Sequence, residues 1–269
     1  MYVSTRLKDG LGNRFFQVAA MLGYAEKHGH TPLFLREAIE ENNHKGPKTI
    51  TDYFPAIRTE DASGTWLELK QPADLTFTYV NLPSRTDANI LMNGHWQCES
   101  YFPKAGIPRP AILDSVGLPD FPFDQCIFLH VRRGDYMLPV CAHHFVDLRQ
   151  YWRYALSFII DDPTTRILVV SDDMEWCALN LPVLYADLVA EDKWYFFPSS
   201  ASDYETLAAM TRCRRGGICA NSSFSWWGGY WNVSRDAGVP FFMPGVWGYP
   251  PMPPAREIYP SWSIVTPTS

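Results

Sequence analysis

Arg132 and Arg133 stand side by side in LHVRRGDYM, residues 129–137, directly after an apolar run and just ahead of Asp135. A guanidinium at the end of a buried element costs free energy unless an anion pairs with it, and its planar fork suits carboxylates and phosphates. On a strand end neighbouring side chains alternate, so one arginine is expected to grip a phosphate in a crevice while the other braces the structure. Pairing with Asp135 or Asp172 is the purely structural alternative. A second group is ANSSFSWWGG, residues 220–229, where Asn221, Ser222 and Ser223 precede an aromatic helix. Unpaired N–H groups and the helix dipole at such a terminus favour anions, although capping by Asn221 or Ser222 gives the same pattern. Facing an arginine pair, a phosphate cradle is the better reading.

Two acidic stretches read first as helix caps. VVSDDMEWC, residues 169–177, offers Ser171 or Asp172 as N-cap with Glu175 at capping-box spacing from Asp172, and SDYE, residues 202–205, repeats the box with Ser202 and Glu205. DGLGNRFF, residues 9–16, is a glycine-rich turn without the third glycine of a dinucleotide fingerprint or the Lys-Ser/Thr of a P-loop. Its glycines allow close approach to the backbone, and Asn13 can cap the next helix and donate. The chain has no Asp-x-Asp, His-Glu-x-x-His or Gly-x-Ser-x-Gly. A metal-bridged diphosphate, a zinc protease and an α/β-hydrolase therefore lose support, and no metal is expected.

The elements that must hold these groups fall into two halves. YVSTRL reads as a strand, RFFQVAAMLGYAEKHG as a helix with Phe15, Val18, Ala19, Leu22 and Ala25 on one face and Gly29 as its stop, and HTPLFL as a returning strand. Pro, Asn and Gly interrupt residues 40–125, where TWLEL, LTFTYV and NILMNG are strand candidates. SVGLPDFPFD, residues 115–124, is the linker candidate. From Gln125 onward the strands CIFLHV, RILVVS, KWYFF, GICA and PFFM alternate with the helices LRQYWRYALSFII, DDMEWCALN, SDYETLAAMTRC and SFSWWGGYWN. That alternation implies a parallel doubly wound sheet, whose ligands bind beyond the carboxyl ends of its strands.

Composition sets the outer bounds. A chain of 269 residues, 46% hydrophobic and 19% charged, accommodates two lobes and is not disordered. Its net charge of −6 argues against broad nucleic-acid or anionic-membrane binding, and ten Trp favour stacking on rings such as bases or sugars. Six Cys, at 98, 126, 141, 177, 213 and 219, form no C-x-x-C pair and read as free thiols. No uninterrupted apolar run is long enough to span a membrane, and MYVSTRL opens directly on a strand pattern. A soluble, cytoplasmic chain without signal or membrane anchor is expected, and the sequons at Asn221 and Asn232 are read as chance.

Together, GLGNRFFQVA (10–19), GHWQCESYF (94–102), HVRRGDY (130–136) and NSSFSWWG (221–228), with SDD (171–173) as a weaker fifth, resemble the α-1,2-fucosyltransferases of bacteria, viruses and animals. They follow the family's order and span most of the chain. The resemblance implies an α/β fold of GT-B type: two Rossmann-like lobes with parallel sheets and a cleft between them. Residues 1–118 would form the acceptor-side lobe, 119–245 the GDP-fucose-binding lobe and 246–269 a C-terminal tail. It implies inverting, metal-independent transfer of L-fucose from GDP-β-L-fucose to the 2-hydroxyl of a terminal galactose, or related sugar, of an oligosaccharide or glycan. No cofactor is implied.

Carried onto this chain, the resemblance gives Arg133 the β-phosphate and the leaving charge, Arg132 the bracing of the loop, and His130 a place near the guanine. Gly12 and Asn13 would face the donor sugar. Ser222 and Ser223 would cradle the diphosphate, with Asn221, Phe224 and Asp172 completing the donor set. Asp203 and Glu205 compete to read the guanine. His95, Trp96 and Tyr136 would contact the acceptor. Asp135 is the candidate base, with orientation of Arg133 as its other role, because a carboxylate beside two arginines is a poor base. Arg14 stands where many members carry Gln, and His95 where an aromatic is common, departures that bear on the acceptor. Competing readings are a fucosyltransferase of α-1,6 or O-fucosyl linkage and a non-catalytic sugar- or nucleotide-binding protein, including an adhesion module presenting Arg133-Gly134-Asp135.

Overall fold

Phe15, Val18, Ala19 and Ala25 are buried along one face of α1 (Leu11–His28), which stops where Gly29 takes the left-handed φ of 71°. The computed structural model describes residues 1–40, 48–159 and 162–268. Helix α1 connects β1 (Tyr2–Thr5) to β2 (Thr31–Pro32) and β3 (Phe34–Leu35). After the short α2 (Ile50–Tyr53) come β4 (Thr59–Glu60), β5 (Trp66–Lys70) and β6 (Asn89–Asn93). These strands build a parallel sheet in the order β2-β1-β6-β5 and a separate β3-β4 pair. The expected strand LTFTYV does not form. A 3-10 turn ends at Leu75, Thr78 N–H donates to the Leu75 carbonyl, and Val80 N–H donates to the Tyr101 hydroxyl at 2.7 Å. Turns and two side chains, the Tyr101 hydroxyl and the Glu257 carboxylate that takes Tyr79 N–H, thus satisfy donors that a strand would give to a ladder.

The second half alternates as the sequence pattern requires. It runs β7 (Cys126–Val131), α3 (Arg149–Ile159), β8 (Arg166–Ser171), α4 (Met174–Leu184), β9 (Trp194–Phe196), α5 (Asp203–Arg212), β10 (Gly217–Ile218), α6 (Ser223–Tyr230), β11 (Phe241–Pro244) and β12 (Ile264–Thr266). The helix expected to reach Ile160 is seen to Ile159, since Ile160 lies outside the described residues. All six strands are parallel, in the order β12-β11-β10-β7-β8-β9. This is the doubly wound order whose direction reverses between its first and fourth strands, here β7 and β10. Every residue of β7 is buried, and Ile127, Leu129 and Val131 pack with Tyr151, Ala155 and Leu156 of α3 and Cys177 and Leu181 of α4.

Two compact units result, residues 1–114 with 253–260 and residues 115–252 with 261–269. The segment expected as a tail, 246–269, is built in. Glu257 N–H donates to the Phe77 carbonyl, its carboxylate accepts from Tyr79 N–H at 3.2 Å, and Ile264–Thr266 pairs with β11. Its prolines conceal a strand of only three residues. All six cysteines are free. No helix among the described residues is long and apolar enough to cross a membrane.

Gly217 lets β10 pass against β7, because a Cβ there would overlap the Phe128 ring. Gly217→Ala is expected to destabilise the fold by about 1–3 kcal/mol. Chemical denaturation reads this as a lower midpoint at unchanged slope, and an unchanged midpoint would mean that Phe128 moves aside.

Candidate functional site

Arg132 and Arg133 lie beyond the end of β7, in the link to a 3-10 turn at Gly134–Met137, with Arg133 at φ −132° and ψ −65°. They do not alternate across a strand as expected. Both guanidiniums turn toward the carboxylates that follow β8, the neighbouring strand. Arg132 places one terminal nitrogen 2.7 Å from Asp172 and the other 2.6 Å from Asp135, with its guanidinium 5.2 Å from the Tyr136 ring centre. Arg133 donates from Nε to Asp173 at 2.9 Å and lies 4.0 Å above the Trp176 ring, while its main-chain N–H donates to Asp172 at 2.8 Å. Among the described residues, Arg132 thus commits both terminal nitrogens, whereas the Arg133 guanidinium is hydrogen-bonded through Nε alone. The exchange with Asp172 also requires Gly134, where a Cβ would overlap the Asp172 carboxylate.

The cap of α4 is Asp173, which accepts from Trp176 N–H at 3.2 Å, instead of Ser171 or Asp172. The physical reason is that Asp172 is already occupied by donors from the arginine segment. Trp176 escapes the sequence reading, which ranks Asp173 below the arginine pair and meets Gly134 only as part of the Arg133-Gly134-Asp135 tripeptide. The available signals were the second carboxylate of SDD and an aromatic three residues beyond it. Asp135, half exposed at 50%, binds Arg132. Its alternative role is corrected accordingly: it orients Arg132, not Arg133.

Across the strand-order reversal, Ser222 caps α6 and accepts from Phe224 N–H at 3.3 Å, with Ser223 as the first helical residue. Asn221 is not the cap. Its buried amide donates to the carbonyls of His144 at 2.8 Å and Trp247 at 2.9 Å, and its own carbonyl accepts from the Tyr136 hydroxyl at 3.2 Å. Tyr136 also stacks on His144 at 5.1 Å, so it ties the arginine loop to the loop before α6, and burial pushes its hydroxyl up to about 12. His130, the fifth residue of β7, is buried, its Nδ1 without a hydrogen-bond partner among the described residues and the Phe224 ring 6.0 Å away. Burial, helped by the charge of Arg132, lowers its pKa to about 3 and keeps it neutral. At the start of α5, the Glu205 carboxylate accepts from Ser202 N–H at 2.8 Å in a capping box, and that engagement holds its pKa below the ordinary value. Asp203 occupies the first turn beside it.

The first unit brings together a separate group at the carboxyl ends of β1 and β6. Gly12 and Asn13 lie in the first turn of α1, whose cap is Gly10 with no side-chain hydrogen bond, so Asn13 is not a cap. Its carboxamide oxygen accepts from Gln97 at 2.6 Å. Arg14, buried, donates to the carbonyls of Asp9 at 3.0 Å and Glu40 at 3.2 Å. His95 sits 2.7 Å from the Asp9 carboxylate. Trp96 is 0% exposed and packs edge-on against Tyr101 at 5.3 Å, so it presents no face to an acceptor and belongs to the core. Gln71, also missed in sequence, accepts the N–H groups of both His95 and Trp96 at 3.0 and 2.8 Å. Among the described residues no three His, Cys, Asp or Glu side chains converge as metal ligands would. What does gather at the ends of β7 and β10 is an arginine pair and a helix N-terminus, donors suited to an anion.

Residues 122–239 match the family described as glycosyl transferase family 11. The O-antigen biosynthesis glycosyltransferase WbnK of Escherichia coli is 29% identical over 113 residues, which is 40% of this chain and 35% of that protein. The chain therefore matches about a third of WbnK's length. An alpha-1,2-colitosyltransferase of Escherichia coli is 27% identical over 275 residues, 88% of this chain and 89% of that protein. The solved fucosyltransferase NodZ from Bradyrhizobium aligns with a TM-score of 0.50 at 14% identity, covering 84% of this chain and 91% of the other. That likeness is one of fold, the GT-B type of α/β architecture with parallel sheets.

Neutral, buried His130 makes stability pH-dependent. Between its unfolded value of 6.5 and its folded value of about 3, the unfolded chain binds a proton that the folded chain does not. Stability contributed by His130 is therefore complete above pH 6.5 and is lost as pH falls through that window. Denaturation midpoints measured from pH 7 to pH 4 should fall less steeply for His130→Gln than for the parent, and parallel slopes would contradict the assignment.

Proposed function

From the match of residues 122–239 to glycosyl transferase family 11 and the geometry of the arginine pair, we propose that the chain transfers L-fucose from GDP-β-L-fucose to the 2-hydroxyl of a terminal galactose, or a related sugar, of an oligosaccharide or glycan, with inversion and without a metal. The observation that carries this reading is the unequal engagement of the two arginines at the strand-order reversal. Arg132 is consumed as a brace by Asp172 and Asp135. Arg133 is anchored by Asp173 and Trp176 at one edge of its fork, and its terminal nitrogens are the groups proposed to grip the β-phosphate. Ser222, Ser223 and the N–H groups opening α6 supply the facing donors. As the fucosyl bond breaks, negative charge grows on the leaving diphosphate. Donors fixed before the reaction stabilise that charge without having to reorganise. For the guanine, Asp203 and Glu205 remain the two candidate readers, the Glu205 carboxylate being shared with Ser202 in the capping box.

A second donor has specific support. The colitosyltransferase aligns with 88% of the chain, and colitose is fucose without its 3-hydroxyl. Either sugar on GDP would meet the same phosphate site, so the two readings differ at one hydroxyl.

Incubation with GDP-fucose or GDP-colitose and a galactose-terminated oligosaccharide, with chelator present, tests the proposal, and NMR of the product assigns the linkage. Transfer to O2 from GDP-fucose is expected. A tenfold or greater preference for GDP-colitose would move the donor to that sugar, and transfer from neither would overturn the reading. Arg133→Ala should lower kcat/KM by roughly 100-fold or more and weaken GDP binding. Arg133→Lys should not rescue it, since an ammonium cannot reproduce the fork. Wild-type GDP affinity in Arg133→Ala would refute the phosphate assignment.

A further inference from the structure

The stretch LTFTYV, which has strand composition and forms no strand, builds part of a cavity wall instead. With its continuation to Pro83 it stands near the second half of α1 and the 3-10 turn Glu99–Tyr101 that follows β6. These segments enclose about 510 Å³, within the roughly 300–1,000 Å³ of small-molecule sites, and Tyr24, Tyr79, Tyr101 and Phe102 line it. Every lining residue belongs to the first unit. The walls are tied to one another. Gly23 brings α1 against the Tyr101 main chain, where a Cβ would overlap the carbonyl oxygen. The Tyr101 hydroxyl accepts from Val80 N–H at 2.7 Å and donates to the Thr78 carbonyl at 3.2 Å, and the Tyr24 hydroxyl donates to the Pro83 carbonyl at 3.0 Å. Lys27 ties the same segment to the helix, its ammonium 3.1 Å from the Tyr79 hydroxyl and 2.7 Å from the Asn81 carboxamide oxygen. Gly23 stands about 15 Å along α1 from Asn13, at roughly 1.5 Å per residue, so this cavity is distinct from the group at the strand ends.

Aromatic rings beside charges of both signs define what fits there. Lys27, Lys104 and Glu26 line the cavity, and the Glu26 carboxylate accepts from Lys104 N–H at 2.8 Å. His28 lines it too, with its Nε2 buried and without a hydrogen-bond partner among the described residues. Burial, helped by the charge of Lys27, lowers the His28 pKa, so its imidazole adds no positive charge at neutral pH. A phosphate needs donors alone and would meet the Glu26 carboxylate. An acyl chain would desolvate two ammonium groups and a carboxylate without pairing them. A pyranose has apolar C–H faces that lie against aromatic rings and hydroxyls that both donate and accept, so it can use every kind of group present. We infer that this cavity binds a pyranose unit of an oligosaccharide, as a carbohydrate site of the first unit in its own right. Walls already joined by hydrogen bonds keep the ordering cost of binding small.

Hydrogen exchange of the whole chain, with and without a galactose-terminated tetrasaccharide and with no GDP-sugar present, reads this site directly. Tetrasaccharide at about ten times its Kd should slow exchange at residues 78–83 and 100–104 by roughly tenfold and leave β7 unchanged. Tyr79→Ala should weaken that binding by roughly tenfold, through loss of a stacking face. If thermal unfolding shows that Tyr79→Ala does not fold, Ser100→Trp, at an exposed lining position, carries the test by filling the cavity, and it should abolish the protection. Absence of slowing in the parent overturns the inference, as does protection at parental affinity in a folded Tyr79→Ala or in Ser100→Trp. Slowing of these segments by inorganic phosphate or octanoate, and not by the tetrasaccharide, would make the ligand an anion or an acyl chain and overturn it equally. Failure of transfer from either GDP-sugar bears on the donor reading alone, because no donor takes part in this measurement.

Discussion

Two guanidiniums from the end of one strand face two consecutive carboxylates from the end of the next, and the rest of the second unit keeps them there. Strands β7 and β8 pair residue for residue, Cys126 with Arg166 through Val131 with Ser171, so Asp172 and Asp173 necessarily emerge beside Arg132 and Arg133. A partly buried charge is tolerated only with a partner, and here each arginine has one. The two partners use different atoms of the fork. Asp172 takes a terminal nitrogen of Arg132 and the main-chain N–H of Arg133, while Asp173 takes only the Nε of Arg133 and in the same position caps α4. One helix cap, one strand register and one glycine thus determine which arginine keeps its terminal nitrogens for something else.

The first unit uses a different device toward a similar end. Its glycine-rich segment runs straight into α1 without a side-chain cap, and the segment after β6 is held by a single glutamine and a buried tryptophan. Among the described residues, both places where a non-glycine residue takes positive φ, Asp9 and Trp96, lie in these two segments. Strain of this kind persists where surrounding structure over-determines it, and such places cluster at functional sites. What it holds in register here is the pair of Asp9 and His95.

The strands and helices of the second unit were largely legible because its central strands are continuous apolar runs, buried on both faces as in β7, and alternate with helices. CIFLHV and RILVVS form strands with the bounds read from their apolar runs, and α1 and α5 end or begin where Gly29 and Ser202 signal. The misreadings have a common cause. LTFTYV has strand composition, but its backbone donors find turns and the Tyr101 hydroxyl. Trp96 was expected to contact an acceptor, yet a tryptophan next to a tight turn was drawn into the core. In both, tertiary partners outweighed local preference.

The sequence by itself determined the alternating α/β order, the parallel sheet and the identity of the arginine and serine segments as groups that meet at strand ends. These follow from hydrophobic period and from the rule that ligands gather where parallel strands finish. Only the tertiary structure decided how the roles divide. That Arg132 is consumed and Arg133 is held by one edge depends on which carboxylate oxygen lies opposite which nitrogen. That Asn221 is a tether, Ser222 a cap and Asp9 the partner of His95 depends on contacts between residues up to 86 positions apart. Local pattern encodes which face of an element is buried, whereas a hydrogen bond across the fold depends on atomic positions that the packing of all the elements sets together.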